Sequence, residues 1–181
     1  MEEQDMTEQE RLAFWTNALN LPGFRVVHER RDSPNDPISF TVVPAEEVAC
    51  CPGCGHACAT VHRRHDSKPM RDLPIGPQAV NLLVRTPQFR CDRCESYFTP
   101  SYPAIAPGAH ATERFLETAA RLIRFADIAN VAEFFAVPAN SLARWYYDSV
   151  ERQQQTPPAT LKPITSIGLD ELSLKKSIAS S

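Results

Sequence analysis

Cys51-Pro52-Gly53-Cys54-Gly55 opens, and Cys91-Asp92-Arg93-Cys94 closes, the segment on which the reading of this chain turns. Two C-x-x-C pairs, one in a Pro/Gly knuckle, present four thiolates to one tetrahedral ion. Thiolate is a soft ligand, Zn²⁺ a borderline-soft ion, and a full set of four leaves no open coordination position, so the site is structural rather than catalytic. Gly53 and Gly55 allow the tight turn that aims backbone amides at sulfur. Thirty-six residues separate the pairs, more than an ordinary ribbon uses, so the intervening chain carries structure of its own. It reads as two extended runs, Thr60 to His65 and Ala79 to Arg90, joined at Leu73-Pro74-Ile75-Gly76-Pro77. That is a zinc ribbon with an enlarged hairpin.

The bland alternatives are two disulfides or four idle thiols. Disulfides belong to oxidising compartments. The chain opens Met1-Glu2-Glu3-Gln4-Asp5, with none of the basic, apolar and small-residue segments of a signal peptide. The expectation is zinc, in the cytoplasm. Cys50 adjoins a ligand and competes with Cys51 for the role, while Cys58 reads as a small buried hydrophobe. His56, His62 and His65 lie near the pattern and read as solvated or phosphate-facing.

A chain of 181 residues makes one or two small domains. No apolar run approaches a membrane span. Sixteen prolines against six glycines point to short modules with stiff connections. The net charge of −3 is unevenly spread: residues 1–49 carry −6, residues 50–108 carry +3, and residues 109–181 balance. Phosphate contact is therefore expected on the ribbon. There Arg63, Arg64, Lys68 and Arg71 form a basic strip, with Arg85, Arg90 and Arg93 on the return side. A solvated charged face is the plain alternative.

Upstream, Thr7-Glu8-Gln9-Glu10 is a capping box ahead of an apolar helical face at Leu12, Phe14, Trp15, Ala18 and Leu19, which Pro22-Gly23 ends. Phe24 to His28 and Ile38 to Val43 alternate as a hairpin would. Downstream, Thr112 caps a helix to about Phe125, a second helix covers Ile128 to Phe135, and a third runs from about Asn140 to Gln153. The rhythm is that of a helix-turn-helix, with Asn140, Ser141 and Arg144 facing bases or phosphates. Ala136 stands where such a turn most often holds Gly. A plain three-helix bundle without DNA contact is the alternative. The expected fold is thus small α+β: an N-terminal helix and hairpin over 1–47, a four-cysteine zinc ribbon over 48–100, and a helix-turn-helix three-helix bundle over 110–154. Residues 155–181 form a linker and a strand that delivers Asp170.

These pieces, in this order, resemble the ISL-type insertion-sequence transposases of bacteria, the third lettered family of that series. The resemblance rests on Cys51-Pro-x-Cys-Gly55, Val61-His62, Arg71-Asp72-Leu73-Pro74, Phe89-Arg90-Cys91-x-x-Cys94, Phe98-Thr99 and Ile167-Gly168-Leu169-Asp170-Glu171, and spans about Val48 to Lys176. It implies binding of double-stranded DNA at terminal inverted repeats, with a second copy or a full-length transposase as protein partner and no membrane. It also implies a ribonuclease-H-like core whose carboxylates hold two Mg²⁺ ions. Asp170 matches the first carboxylate. Nothing matches the other two, and two-metal chemistry needs several convergent carboxylates. The chain is therefore expected to be the DNA-binding part with a vestigial catalytic start, and Mg²⁺ is expected only where a complete core is supplied. The other reading is a zinc-stapled interaction or regulatory module without specific DNA binding.

Overall fold

The computed structural model describes residues 6–34, 36–67 and 69–155. Its elements are α1 (Glu8–Leu19), β1 (Phe24–Arg30), β2 (Ile38–Pro44), β3 (Ala49–Cys50), β4 (Ala57–Cys58), β5 (Val61–Asp66), β6 (Met70–Ile75), β7 (Gln78–Arg90), β8 (Tyr97–Phe98), α2 (Glu113–Ile123), α3 (Ile128–Phe134) and α4 (Ala139–Gln155). Asp170, Lys68 and the expected linker and terminal strand lie outside the described residues.

The thirteen-residue β7 is the axis. β5 and β6 follow one another antiparallel to it, from Val61 opposite Phe89 to Ile75 opposite Gln78. Gly76 and Pro77 close this long hairpin, and Gly76 takes φ +59, a conformation that glycine adopts without a Cβ penalty. Between the two strands, Ser67 exchanges hydrogen bonds with Val84: its amide reaches the Val84 carbonyl at 2.9 Å, and its hydroxyl accepts from the Val84 amide at 2.9 Å. β2 lies parallel to the first half of β7, Ile38 opposite Val80 through Val42 opposite Val84. β1 pairs antiparallel with β2, and β8 with the end of β7.

One core forms where these strands meet α1. Phe40, Val42, Val80 and Leu82 are fully buried, and Leu12 and Trp15 of the helix pack on them. The ring of Trp15 lies 5.1 Å from that of Phe40, and its indole N–H donates to Glu29. The capping box forms: the Thr7 hydroxyl accepts from the Glu10 amide, and the Glu10 carboxylate accepts from the Thr7 amide at 2.9 Å. A second core joins α2, α3 and α4 through Phe115, Leu116, Val131, Phe135, Leu142 and Trp145. It also contains Ala106, Ala109 and Ala111 of the preceding connector, with Leu73 of β6 packed against it.

The expected fold is overturned at this point. The described residues form a mixed six-stranded sheet, a two-stranded sheet of β3 and β4, and four helices, not a hairpin, a ribbon and a helix-turn-helix three-helix bundle in series. Two non-local contacts make the difference. β2 adds to β7 rather than standing apart with β1. The C-terminal helices complete their core with residues of β6 and the connector rather than with one another alone.

A buried ion pair secures that junction. Asp72, 1% exposed, accepts from the Thr112 hydroxyl at 2.7 Å, from Arg114 Nε at 2.8 Å, and from Arg114 Nη2. Arg114 Nη1 donates in turn to the carbonyl of Asn20, which ends α1 in a left-handed conformation. Backbone bonds run beside it, from the Arg71 amide to the His110 carbonyl and from the Thr112 amide to the Arg71 carbonyl. Removing Asp72 takes the acceptor from the buried Thr112 hydroxyl and from the guanidinium of Arg114, which is 28% exposed, and leaves a hole in the junction. We predict that Asp72→Ala destabilises the protein by about 3–5 kcal/mol, measured by urea unfolding. Removing the exposed Glu47 partner of Arg64 costs about 0–1 kcal/mol. A loss below about 1 kcal/mol for Asp72→Ala contradicts this account.

Candidate metal centre

The two knuckles have the same backbone. In the first, the Cys51 amide donates to the His56 carbonyl at 2.8 Å; in the second, the Cys91 amide donates to the Ser96 carbonyl at 2.8 Å. The residue after each second cysteine sits in the left-handed region, Gly55 at φ +72 and Glu95 at φ +56. Each knuckle then runs into a two-residue strand, β4 and β8. The chain thereby presents two sulfurs twice, once before β5 and once after β7, at the open end of the long hairpin.

The result is a cluster in which the sulfurs of Cys51, Cys54, Cys91 and Cys94 all lie within 4.8 Å of one another. The two cross-knuckle pairs, Cys51 with Cys94 and Cys54 with Cys91, are each 3.6 Å apart. Four thiolates at about 2.3 Å from a central ion have sulfur–sulfur edges of about 3.8 Å. The cluster therefore has the size of a tetrahedral four-sulfur site, and it can hold a metal ion. All six cysteines are unpaired, so the disulfide alternative finds no support.

Electrostatics within the cluster are unbalanced without a cation. A hydrogen bond from Ser96 draws the Cys51 thiol down to about 6, with the Gly53 and Cys54 amides contributing. The Cys94 and Arg93 amides lower Cys91. For Cys54 the His56 amide works toward the thiolate, but burial and the neighbouring thiols prevail and push it up to about 12. The first thiolates thus hinder the next. A coordinated metal removes the conflict, because its own charge deprotonates the ligands outright.

The spare cysteines separate cleanly. Cys50 is exposed in β3, opposite Ala57, and outside the cluster. Cys58 is buried against Cys51, Phe89 and Cys91; its thiol donates to the His56 carbonyl, and burial pushes it up to about 11. None of His56, His62 and His65 belongs to the cluster. The sequence reading missed Ser96, whose hydroxyl lies 3.1 Å from Cys94 Sγ and 3.5 Å from Cys51 Sγ. A hydroxyl two residues past the second C-x-x-C was the available signal. It also missed the link from the Thr60 hydroxyl to Asp92, which ties β5 to the second knuckle.

The other candidate residues are dispersed. Arg63 is exposed and donates to Gln88 at 2.8 Å, and Arg64 pairs with Glu47 at 3.2 Å. Arg71 is half-buried; it donates to the Ala136 carbonyl at 3.0 Å, and burial lowers its pKa. Ala136 takes φ +50. At the start of α4, Asn140 and Arg144 are exposed and Ser141 is half-buried. No described helix is long and apolar enough to cross a membrane. The sequence matches no protein-family model, no curated protein and no solved structure.

Two predictions test the centre. Cys51→Ser or Cys94→Ser abolishes stoichiometric metal content in mass spectrometry and melts the hairpin end, since metal-binding energy is folding energy in such modules. Cys50→Ser and Cys58→Ser keep the ion. The two left-handed positions respond with opposite signs. Gly55→Ala, which meets no atom within 4 Å, destabilises by about 1 kcal/mol through backbone strain alone. Glu95→Gly relieves the same strain and stabilises by about 0.5 kcal/mol after the unfolded-state entropy is deducted. Urea midpoints of the metal-saturated proteins decide both.

Proposed function

We propose that this chain is the DNA-binding portion of an insertion-sequence transposase, recognising terminal inverted repeats, with a structural Zn²⁺ holding its central hairpin. The observation that carries the reading is the tetrahedral-sized four-sulfur cluster at the end of a hairpin that holds the chain's positive excess. Zinc suits that ligand set because it is redox-inert and accepts four thiolates without an open position. The ordered motifs shared with the ISL-type transposases add the substrate class.

In this reading the zinc does no chemistry on DNA. It fixes the geometry of the hairpin and its second knuckle, from which Arg64 and Arg93 reach the phosphates of the duplex. The exposed first turn of α4 supplies Asn140 and Arg144 for base edges, where an Asn pairs with adenine and an Arg with guanine. Phosphate contacts position the protein, and base contacts specify the sequence. The reading assigns no strand transfer to the described residues.

A second reading, a zinc-stapled interaction module, draws on the exposure of Phe125 (87%) and Phe134 (70%). Salt dependence separates the two. We expect the zinc-loaded protein to bind a duplex copied from its element's ends in preference to a scrambled duplex. The slope of log K against log salt should be about −0.9 per phosphate neutralised, totalling several units. Arg144→Ala should cost the specific duplex about 1–3 kcal/mol and the scrambled one less. A flat salt response sinks the DNA-binding reading and favours the interaction module.

A further inference from the structure

We infer that the solvent face formed by β5, the end of β7 and β8, built from His62, Arg63, Gln88, Arg90 and Tyr97, is a stacking platform for an unpaired segment of nucleic acid. The inference rests on the reading of the chain as a nucleic-acid binder and adds the strandedness of one of its partners.

The two faces of this small sheet are set by its register. Phe89 pairs with Val61 on one side and Phe98 on the other, and it is buried on the cysteine cluster. Successive residues of a strand point to opposite faces. Arg90, opposite Tyr97, therefore faces solvent, as does Gln88 opposite Arg63. His62 occupies the bulge between Val61 and Arg63, and its ring meets that of Tyr97 edge-on at 4.7 Å. Tyr97 is 52% exposed. An aromatic pair would ordinarily bury itself; this one stands in water, and its edge-on geometry leaves ring surface open.

The charged groups suit a phosphate backbone. Arg63 is steadied by Gln88 without losing its charge. Arg90 reaches Glu95 only at 3.9 Å, an exposed pair that a phosphate can displace. Arginines beside open aromatic rings on a flat sheet are the elements by which proteins bind single strands: bases stack on the rings and cations follow the backbone. A duplex fits less well. Its base faces are already stacked, and three strands about 4.8 Å apart with their side chains overfill a major groove about 12 Å wide, which admits a two-stranded ribbon.

The test uses the full zinc-loaded chain with a fluorescent short oligothymidylate and a mixed-sequence duplex as probes. Tyr97→Ala should weaken oligothymidylate binding about tenfold and lower the single-strand to duplex affinity ratio, while Tyr97→Phe stays within about twofold. Zinc content and circular dichroism establish that each variant is folded. Independently, a bromodeoxyuridine-substituted oligonucleotide should photocrosslink to the peptides that carry His62 or Tyr97. Wild-type binding that Tyr97→Ala leaves intact, or crosslinks confined to other peptides, overturns the platform alone. Failure of the wild-type protein to bind either probe overturns the nucleic-acid reading itself.

Discussion

Four sulfurs confined to within 4.8 Å of one another are the constraint on which this structure depends. They tie the two ends of the long hairpin to a single point. Gathering four thiolates would be repulsive by itself, and the surroundings of the sulfurs differ: the Ser96 hydroxyl lowers Cys51, while burial and the neighbouring thiols raise Cys54. A soft cation turns the repulsion into attraction. The hydrophobic support is slight: Cys58, Phe89, Val61 and Phe98 pack around the thiols, with few other apolar groups. So small a core gains little from buried area, and an ion held by the four sulfurs would supply much of its stability.

From that point the order passes along β7 to the remainder of the protein. The first half of the strand contributes Val80 and Leu82 to the principal core; the second half contributes Phe89 to the metal core. The burial pattern changes phase between them, with Val84 the last even-numbered buried residue and Phe89 buried at an odd position. One strand thus serves two cores on opposite faces. Asp72 carries the order sideways, because its carboxylate satisfies the cap of α2 and the guanidinium of Arg114 together.

What could be read in the sequence was what depends on near neighbours. The cysteine quartet was legible because ligand chemistry and spacing are intrinsic to it. The Thr7–Glu10 box and the Thr112 cap were legible because each is completed within a few residues. Helix bounds followed from periodicity within a few residues. The architecture was not legible, since the parallel pairing of Ile38–Val42 with Val80–Val84 leaves no mark on either segment. Arg71 and Asp72 show the same limit at a single site. In sequence they belong to a charged strip; in the fold Arg71 turns to the Ala136 carbonyl and Asp72 is buried under Arg114. Charge indicated exposure, whereas the partners that permit burial came from distant parts of the chain.

The parallel pairing of β2 with β7 also bears on the order in which the chain assembles. Val42 and Val84 lie opposite one another but are 42 residues apart along the chain. Across a metal held by the four sulfurs, the path between them would shorten to roughly 16 residues, lowering the closure entropy by about 0.9 kcal/mol. Parallel strands cannot be joined by a tight turn and are intrinsically slow to find each other. An ion held there would act as a topological shortcut, converting the longest-range pairing among the described strands into a nearly local one. A chain that captures its metal early therefore reaches this sheet along a shorter search than one that must pair its strands first.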